Sequence, residues 1–471
     1  MFLAHRWLGV ALALVMALWT LSGIVMMYVS YPETSRAERI SGLDPLDLST
    51  CCDGATAPDG PVDSVSVEMV AGVPVLRWTG PDGPKLTSLA GGSVPVVDQE
   101  VARQIAATHY RNTLGTDAPL QVQPVEGDQW TVSVARQAPL WKASFDDDRG
   151  TVLYVSGRTA QVVQDTHASE RFWSWLGAVP HWLYFRPLRE NGALWSQVVI
   201  WSSLLGTFLT ATGLYVGIVT FRRRGKHSPF RGMALWHHWS GLIFGIVTLT
   251  WVFSGLASMN PWGWLESGSP SEERQGMAGR ALEATDVEAL YRALAANPRA
   301  DVVSAELTIQ GGQPYAILVR ADGVRERASL PDLAPAPLAE GDLAALGRMA
   351  KPGVSASQGL IREGDSYHYS HHTSSPIVLP AWRVIYGDEA RTRIYLDPRT
   401  GEMVNYVDAG RREFRWWHLA LHRLDFSALR QRPLWDAVML ILLAGVAVVC
   451  LLGAWMGVRR VRRDVGRALR K

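Results

Sequence analysis

The sequence predicts a membrane protein: a four-helix transmembrane bundle made by tandem duplication, carrying two α+β domains outside the membrane. Three observations carry this expectation. Four apolar stretches are long enough to cross hydrocarbon, short basic connections alternate with two long hydrophilic segments, and the second half of the chain repeats the pattern of the first. With 48% hydrophobic and 19% charged residues among 471, the composition lies between soluble and fully embedded proteins.

The apolar stretches are residues 7–29, 193–221, 235–259 and 437–458; a hydrocarbon layer of about 30 Å needs about 20 such residues in a helix. The connection 222–231 carries Arg222, Arg223, Arg224, Lys226 and Arg231 with no acid, and the tail holds Arg459, Arg460, Arg462, Arg463, Arg467, Arg470 and Lys471. Basic flanks stay in the cytoplasm, so both termini are expected inside and the long segments, about 33–192 and 260–436, outside. A cleaved signal peptide is the competing reading of residues 1–29, but the charged leader is thin and no small-residue cleavage site follows Met26.

The expected order is a first span within 1–32, an outer domain over 33–171, and an aromatic amphipathic segment with the second span over 172–221. A basic loop (222–233), the third span (234–260) and a second outer domain (261–411) follow. A second aromatic segment with the fourth span (412–458) and a basic tail (459–471) close the chain. Net charge is only +2, which gives no field suited to nucleic acid. The 20 Trp residues crowd beside the apolar stretches, as expected of rings that settle at the headgroup level. Cys51 and Cys52 are adjacent and Cys450 is in an apolar stretch, so no disulfide framework or Cys-x-x-Cys metal site is available. The adjacent pair reads either as a redox or cross-linking feature or as free thiols.

The repeat is read by sliding the chain on itself. A shift of 232 residues lays HRWLG at His5 on HHWSG at His237, then Trp19, Ser22 and Gly23 on Trp251, Ser254 and Gly255. A shift of 241 lays residues 139–163 on 380–404 without a gap, then His181, Leu183, Phe185, Leu188 and Arg189 on His422, Leu424, Phe426, Leu429 and Arg430. Both halves run in the same direction, so the expected symmetry is a pseudo-twofold axis along the membrane normal, with matched residues facing across it.

Each outer segment reads as α+β: a helical pattern at 98–113 or 340–351, then alternating strands. Asp397-Pro398-Arg399-Thr400-Gly401 is a turn with φ set by Pro and a Gly free to take positive φ; the first half has Ser156-Gly157-Arg158-Thr159-Ala160 there. The strand, the Tyr-Leu-Asp-Pro-Arg-Thr-Gly-Glu turn and the His-Arg-Trp-Leu-Gly opening of a span resemble the PepSY-associated transmembrane family, over nearly the whole chain. The resemblance implies PepSY-like periplasmic domains on a bacterial inner-membrane protein. Members are associated with iron uptake, and some are similar to ferric-siderophore reductases that hold b-type haems between four helices. The first half lacks the Asp-Pro of the turn, which argues against a catalytic role shared by both turns.

Of 12 histidines, His5, His181, His237, His238, His418 and His422 lie at span ends or in the aromatic segments before them. Ionisable side chains near the apolar layer are costly and tend to face the bundle interior, and a neutral imidazole is a standard haem ligand. His5 and His237 are expected to clamp one haem b near the cytoplasmic face, and His181 and His422 a second near the outer face. Neighbours on a helix are about 100° apart, so His238 cannot share the direction of His237. His418, four residues before His422, is the rival ligand or a supporting partner. Arg6, Arg189, Arg423 and Arg430 stand close enough in sequence to meet haem propionates, with interfacial anchoring as the alternative.

His368, His371 and His372, read as part of an exposed strand, form a candidate docking or metal site for the outer acceptor. No Gly-rich dinucleotide fingerprint precedes a helix, so the donor is expected to be external. The leading expectation is a haem-dependent oxidoreductase of the ferric reductase type, moving electrons to a periplasmic iron-siderophore or other metal complex. The alternatives are a non-redox, membrane-anchored binding or regulatory module, and an accessory or transport protein of iron or siderophore uptake; against transport, the spans hold no Asp, Glu, Lys or Arg to couple ions.

Overall fold

The computed structural model describes residues 1–52, 55–58, 60–222, 225, 227–370 and 377–470. Arg223, Arg224, Lys226, Lys471, His371 and His372, all named above, lie outside the described residues. Among the described residues, four helices are long and apolar enough to cross a membrane: Phe2–Met26, Gly192–Thr220, Met233–Ser258 and Leu434–Ala468. The first starts five residues earlier than the apolar pattern and the fourth runs well past it. In the fourth, polar residues continue the helix beyond the apolar layer, where an i,i+4 pair joins Arg460 to Asp464 at 2.7 Å.

The spans pack as a ring in the order first, fourth, third, second and back to the first, so the first and third are diagonal partners. The contact surfaces are built from small and medium residues: Met16 and Ala17 meet Leu209, Val446 and Cys450. Lipid offers no hydrophobic drive for helix association, so close approach and internal hydrogen bonds must supply it; Thr20 donates to the Met16 carbonyl and to the Cys450 sulfur.

Outside the bundle lie three antiparallel sheets. One is formed by β1 (Ser64–Val70), β2 (Val73–Gly80) and β3 (Gly83–Ser88). A meander follows of β4 (Leu120–Val125), β5 (Leu140–Phe145), β6 (Val152–Ser156) and β7 (Val162–Thr166). In the second half come β8 (Val302–Gln310), β9 (Gln313–Arg320) and β10 (Arg325–Ser329). The second meander is β11 (Ala356–Ile361), β12 (Ala381–Tyr386), β13 (Arg393–Leu396) and β14 (Met403–Val407).

β1 pairs with β8, so three strands from each half merge into one six-stranded sheet ordered β10-β9-β8-β1-β2-β3. It therefore crosses between the two segments expected to fold as separate outer domains. Its core is Val67, Leu76, Ala305 and Leu318 under Val287, Leu290 and Leu294 of the helix Ala284–Ala296. Burying a side chain the size of Leu290 is worth about 1.5–3 kcal/mol. Cys51 and Cys52 are joined by a disulfide and pack against this core.

Each meander carries its own helix. Ala102, Ala106 and Tyr110 of Gln99–Leu114 pack on Ala143, Leu153 and Val155, and Leu343, Leu346 and Ala350 of Glu340–Ala350 pack on Trp382, Val384 and Ile394. Asp98 caps the first of these helices by accepting from the Glu100 and Val101 amides. Both meanders break register at the same place, between Tyr154 and Val155 and between Tyr395 and Leu396. Both hold a half-buried carboxylate between a base and a tyrosine: Asp128 with Lys142 (3.0 Å) and Tyr154 (2.6 Å), and Asp365 with Arg383 (3.0 Å) and Tyr395 (2.9 Å). The turn after β13 docks on the six-stranded sheet through Gln310, which donates to the Thr400 carbonyl, and through Arg325, which pairs with Glu402. Its role is therefore one of joining sheets.

The tract around His368 is not a strand. Residues 362–370 form bends and irregular chain between β11 and β12, and Trp130-Thr131-Val132 is a turn rather than a strand. The amides of Tyr367 and His368 donate to Asp365 (2.8 and 2.9 Å), a local turn that competes with any ladder.

Burial works to raise the pKa of Asp365, but the two amides, the Arg383 guanidinium and the Tyr395 hydroxyl outweigh it and hold the carboxyl below its usual range. Asp365→Ala removes one partner of a half-buried pair and is expected to cost about 2–4 kcal/mol, read as a lower urea midpoint of the full chain. A depressed folded value means this contribution is present at neutral pH and lost only as pH falls below about 4. The variant should therefore lose part of the acid-side slope of stability.

Candidate functional site

Two pairs of imidazoles meet inside the bundle, one at each end. His5, in the first turn of the first span, places Nδ1 3.0 Å from the Leu209 carbonyl of the second span. His237, at the start of the third span, places Nδ1 3.1 Å from the Val449 carbonyl of the fourth. The ring centres of His5 and His237 are 6.3 Å apart at 30°. The approach of each ring to a helix backbone depends on a glycine one turn on: a Cβ at Gly213 would lie 2.7 Å from the His5 ring, and one at Gly453 3.3 Å from the His237 ring. A larger residue at either position would meet the ring before it reached the carbonyl.

The second pair sits at the far end. His181, on the short helix Ala178–Trp182, has Nδ1 3.0 Å from the Trp19 carbonyl and 3.2 Å from Ser22 Oγ. His422, on Leu421–Arg423, has Nδ1 3.2 Å from the Trp251 carbonyl and 3.0 Å from Ser254 Oγ. Their ring centres are 6.0 Å apart at 67°. Both short helices stop on a leucine in the left-handed region, Leu183 (φ 53°) and Leu424 (φ 49°). In both, an indole N–H from the start of the following span ties down the carbonyl after the histidine: Trp195 to Trp182 at 2.8 Å and Trp435 to Arg423 at 2.7 Å.

A carbonyl can only accept, so in all four rings Nδ1 is the donating nitrogen and Nε2 keeps its lone pair. Fixing one ring nitrogen on a carbonyl is the arrangement that orients an imidazole for ligation through the other. Among the described residues none of these four Nε2 atoms makes a hydrogen bond. Two imidazole nitrogens held at about 2 Å from one metal put the ring centres roughly 6 Å apart.

His418 lies in the π-helical turn Arg415–Ala420, places Nδ1 2.9 Å from the Ser254 carbonyl, and stacks on His422 at 5.1 Å. Gly177 matches it in the self-comparison of the sequence, so the His181–His422 pair has a third imidazole on one side only. His238 differs: Nδ1 is 2.9 Å from Ser228 Oγ, and Nε2 is 2.9 Å from the Gly217 carbonyl and 3.2 Å from Thr220 Oγ1. Nε2 ties the third span to the second, and Nδ1 ties it to the connection between them.

The guanidinium of Arg423 acts electrostatically on His181, His418 and His422 and has no carboxylate within ion-pair distance among the described residues. Arg6 is exposed, 5.2 Å over the Trp7 ring. Arg430 is paired with Asp425 at 2.7 Å, and Arg189 sits over the rings of Tyr184 and Trp195, so both have partners within the protein. His368 is 3% exposed, with Nε2 2.9 Å from the Val378 carbonyl and its ring stacked 4.5 Å from Tyr395. It is packed beneath its loop and offers nothing to solvent, contrary to the docking role expected for it; His371 and His372 lie outside the described residues.

Two groups escaped the sequence reading. The indole N–H groups of Trp19 and Trp251, repeat-equivalent and beside the outer pair, are buried and have no hydrogen-bond partner. An orphaned buried donor costs about 1–3 kcal/mol, and its occurrence at two matched positions is a property of the site. The only sequence signal was the superposition of Trp19 on Trp251. Compared with protein-family models and with curated proteins, the sequence matches none.

His238→Ala should lower stability by about 1–3 kcal/mol, because it leaves the Gly217 and Ser228 groups unmet, while leaving both imidazole pairs in place. Thermal unfolding in detergent, with diethylpyrocarbonate labelling of the four paired histidines as a check on their surroundings, measures both effects.

Proposed function

We propose that this protein is a di-haem b-type oxidoreductase of the bacterial inner membrane that passes electrons outward to a periplasmic acceptor of the ferric-siderophore or metal-complex class. The observation that carries the proposal is the pair of facing imidazole sets, each ring anchored through Nδ1 on a helix carbonyl with Nε2 free toward its partner. No cluster of three or more His, Cys, Asp or Glu among the described residues is disposed to hold a bare metal ion. Two axial nitrogens alone suit a metal whose remaining ligands come from a macrocycle, which is what haem provides.

When bound, haem supplies one-electron chemistry; the protein supplies ligation, orientation and electrostatics. His5 and Trp19 are fourteen residues apart on one helix, a rise of about 21 Å, so the two histidine pairs divide a crossing of about 30 Å between them. The carbonyl behind each imidazole raises its basicity and fixes its plane. Arg423, without a carboxylate partner, is suited to a propionate near the outer pair. Trp19 and Trp251 offer two unpaired donors there.

Tandem duplication underlies the scheme. It is supported by the matched register breaks, the Asp128 and Asp365 triads, and the anchoring of His5 and His237 on carbonyls 240 residues apart, Leu209 and Val449. The resemblance to the PepSY-associated transmembrane family, carried by the Asp397–Gly401 turn and the span opening at His5, supports the inner-membrane location, with termini inside and the sheets in the periplasm. His418 is read as a neighbour of the ligand His422, because His422 is the ring that faces His181.

A reduced-minus-oxidised spectrum with haem quantification tests this. Wild type should carry two haems per chain. His5→Ala or His237→Ala should halve the haem and remove one spectral component, His181→Ala or His422→Ala should remove the other, and His418→Ala should keep both. Absence of Soret absorbance after haem-replete expression, or loss of both or neither component in every variant, would overturn the reading. Gly213→Val should reproduce the His5→Ala spectrum, since its side chain would occupy the place of the His5 ring.

A further inference from the structure

Away from the imidazole pairs, the first outer domain contains a cleft of about 270 Å³ bounded by the helices Arg36–Ser41 and Gln99–Leu114, β7 and the start of Ala168–Leu176. Glu33, Glu38, Asp165 and Glu170 line it, against the single guanidinium of Arg149. None of the four carboxylates has a Lys or Arg within ion-pair distance among the described residues. Glu38 caps its helix by accepting from the Ser35 amide, Asp165 accepts from Thr34, and Glu170 faces His167 at 3.6 Å, so none of their charges is neutralised by a strong base.

A second observation is independent of the acids. His109 lines the same cleft, is 5% exposed, and makes no hydrogen bond among the described residues. Buried imidazoles are ordinarily hydrogen-bonded, and this ring is packed against Gly42, where no side chain fits. Burial holds His109 down to about 4, so it is neutral at physiological pH. Asp165 is held above the usual carboxylate range by burial and by the charge of Glu38, and Glu170 by burial with Asp165 adding to it. A neutral imidazole keeps one lone pair, so the His109 ring offers an acceptor nitrogen beside the four carboxylates.

We propose that this cleft binds a small organic cation bearing amine or guanidinium groups, with the Glu33, Glu38, Asp165 and Glu170 carboxylates and the His109 ring accepting its N–H donors. A bare metal ion fits less well, because no three of these side chains converge to coordinate one. The volume lies just under the range of small-molecule sites, which begins at about 300 Å³, and suits a cation of a few heavy atoms. The cleft and the imidazole pairs lie in different parts of the chain, so amine binding and haem content are read separately.

Isothermal titration of the full-length protein in detergent with putrescine and with agmatine, at constant ionic strength, tests the site. Saturable one-to-one binding is expected for at least one of them. Glu33→Gln and Asp165→Asn should each weaken it by about tenfold or more, the effect of losing one charged hydrogen bond. Glu190→Gln, on a surface pair with Arg186 remote from the cleft, should leave it unchanged. Glu33 is exposed and makes no hydrogen bond or ion pair among the described residues, so its variant keeps the test sound even where Asp165→Asn disturbs folding. No saturable heat with either amine, equal affinity in wild type and both variants, or displacement by magnesium at equal concentration would each overturn the proposal.

Discussion

The structure of the bundle depends on hydrogen bonds from imidazole Nδ1 to main-chain carbonyls of helices already complete in their own bonding. An imidazole within an apolar layer must find a partner, and here each partner is on another element: His5 on the second span, His237 on the fourth, His181 on the first, His422 on the third. The same four bonds thus tie element to element and leave four Nε2 lone pairs unused. Packing and site geometry are one constraint, and the glycines at 213 and 453 are the local condition that allows it.

The extramembrane part serves that constraint. The junction between halves is the β1–β8 ladder, in which Ser66 faces Glu306 and the register runs symmetrically outward. A sheet shared by both halves restrains the chain leaving the first and third spans. The meanders then return the chain to the membrane through His181 and His422, and the left-handed leucines with their tryptophan ties set the angle of entry to the next span. In the self-comparison His418 matches Gly177 and Asp425 matches Tyr184, so the surroundings of His422 differ chemically from those of His181.

Much of this was legible from residue order. Apolar length located the four spans, although not their ends, because a helix continues past the apolar layer wherever polar side chains pair on its surface, as Arg460 does with Asp464. The self-match of the sequence paired His5 with His237 and His181 with His422, and the rings of each pair lie within about 6 Å of one another. The helical spacing that separated His237 from His238 was also sufficient. The reading of His368 as an exposed strand residue failed, because a local carboxylate, Asp365, drew the backbone into a turn and Tyr395 covered the ring. Nothing in the sequence indicated the shared sheet, as strand partners distant along the chain leave no local pattern.

Residue order by itself determined which segments enter lipid and which side chains are equivalent, because apolar length and repetition are properties of the chain alone. Tertiary structure decided which ring nitrogen is occupied, which carbonyl occupies it, and which buried donors, such as the indoles of Trp19 and Trp251, are left over. Those outcomes follow from the approach of one backbone to another within a few ångströms, a distance no one-dimensional pattern encodes.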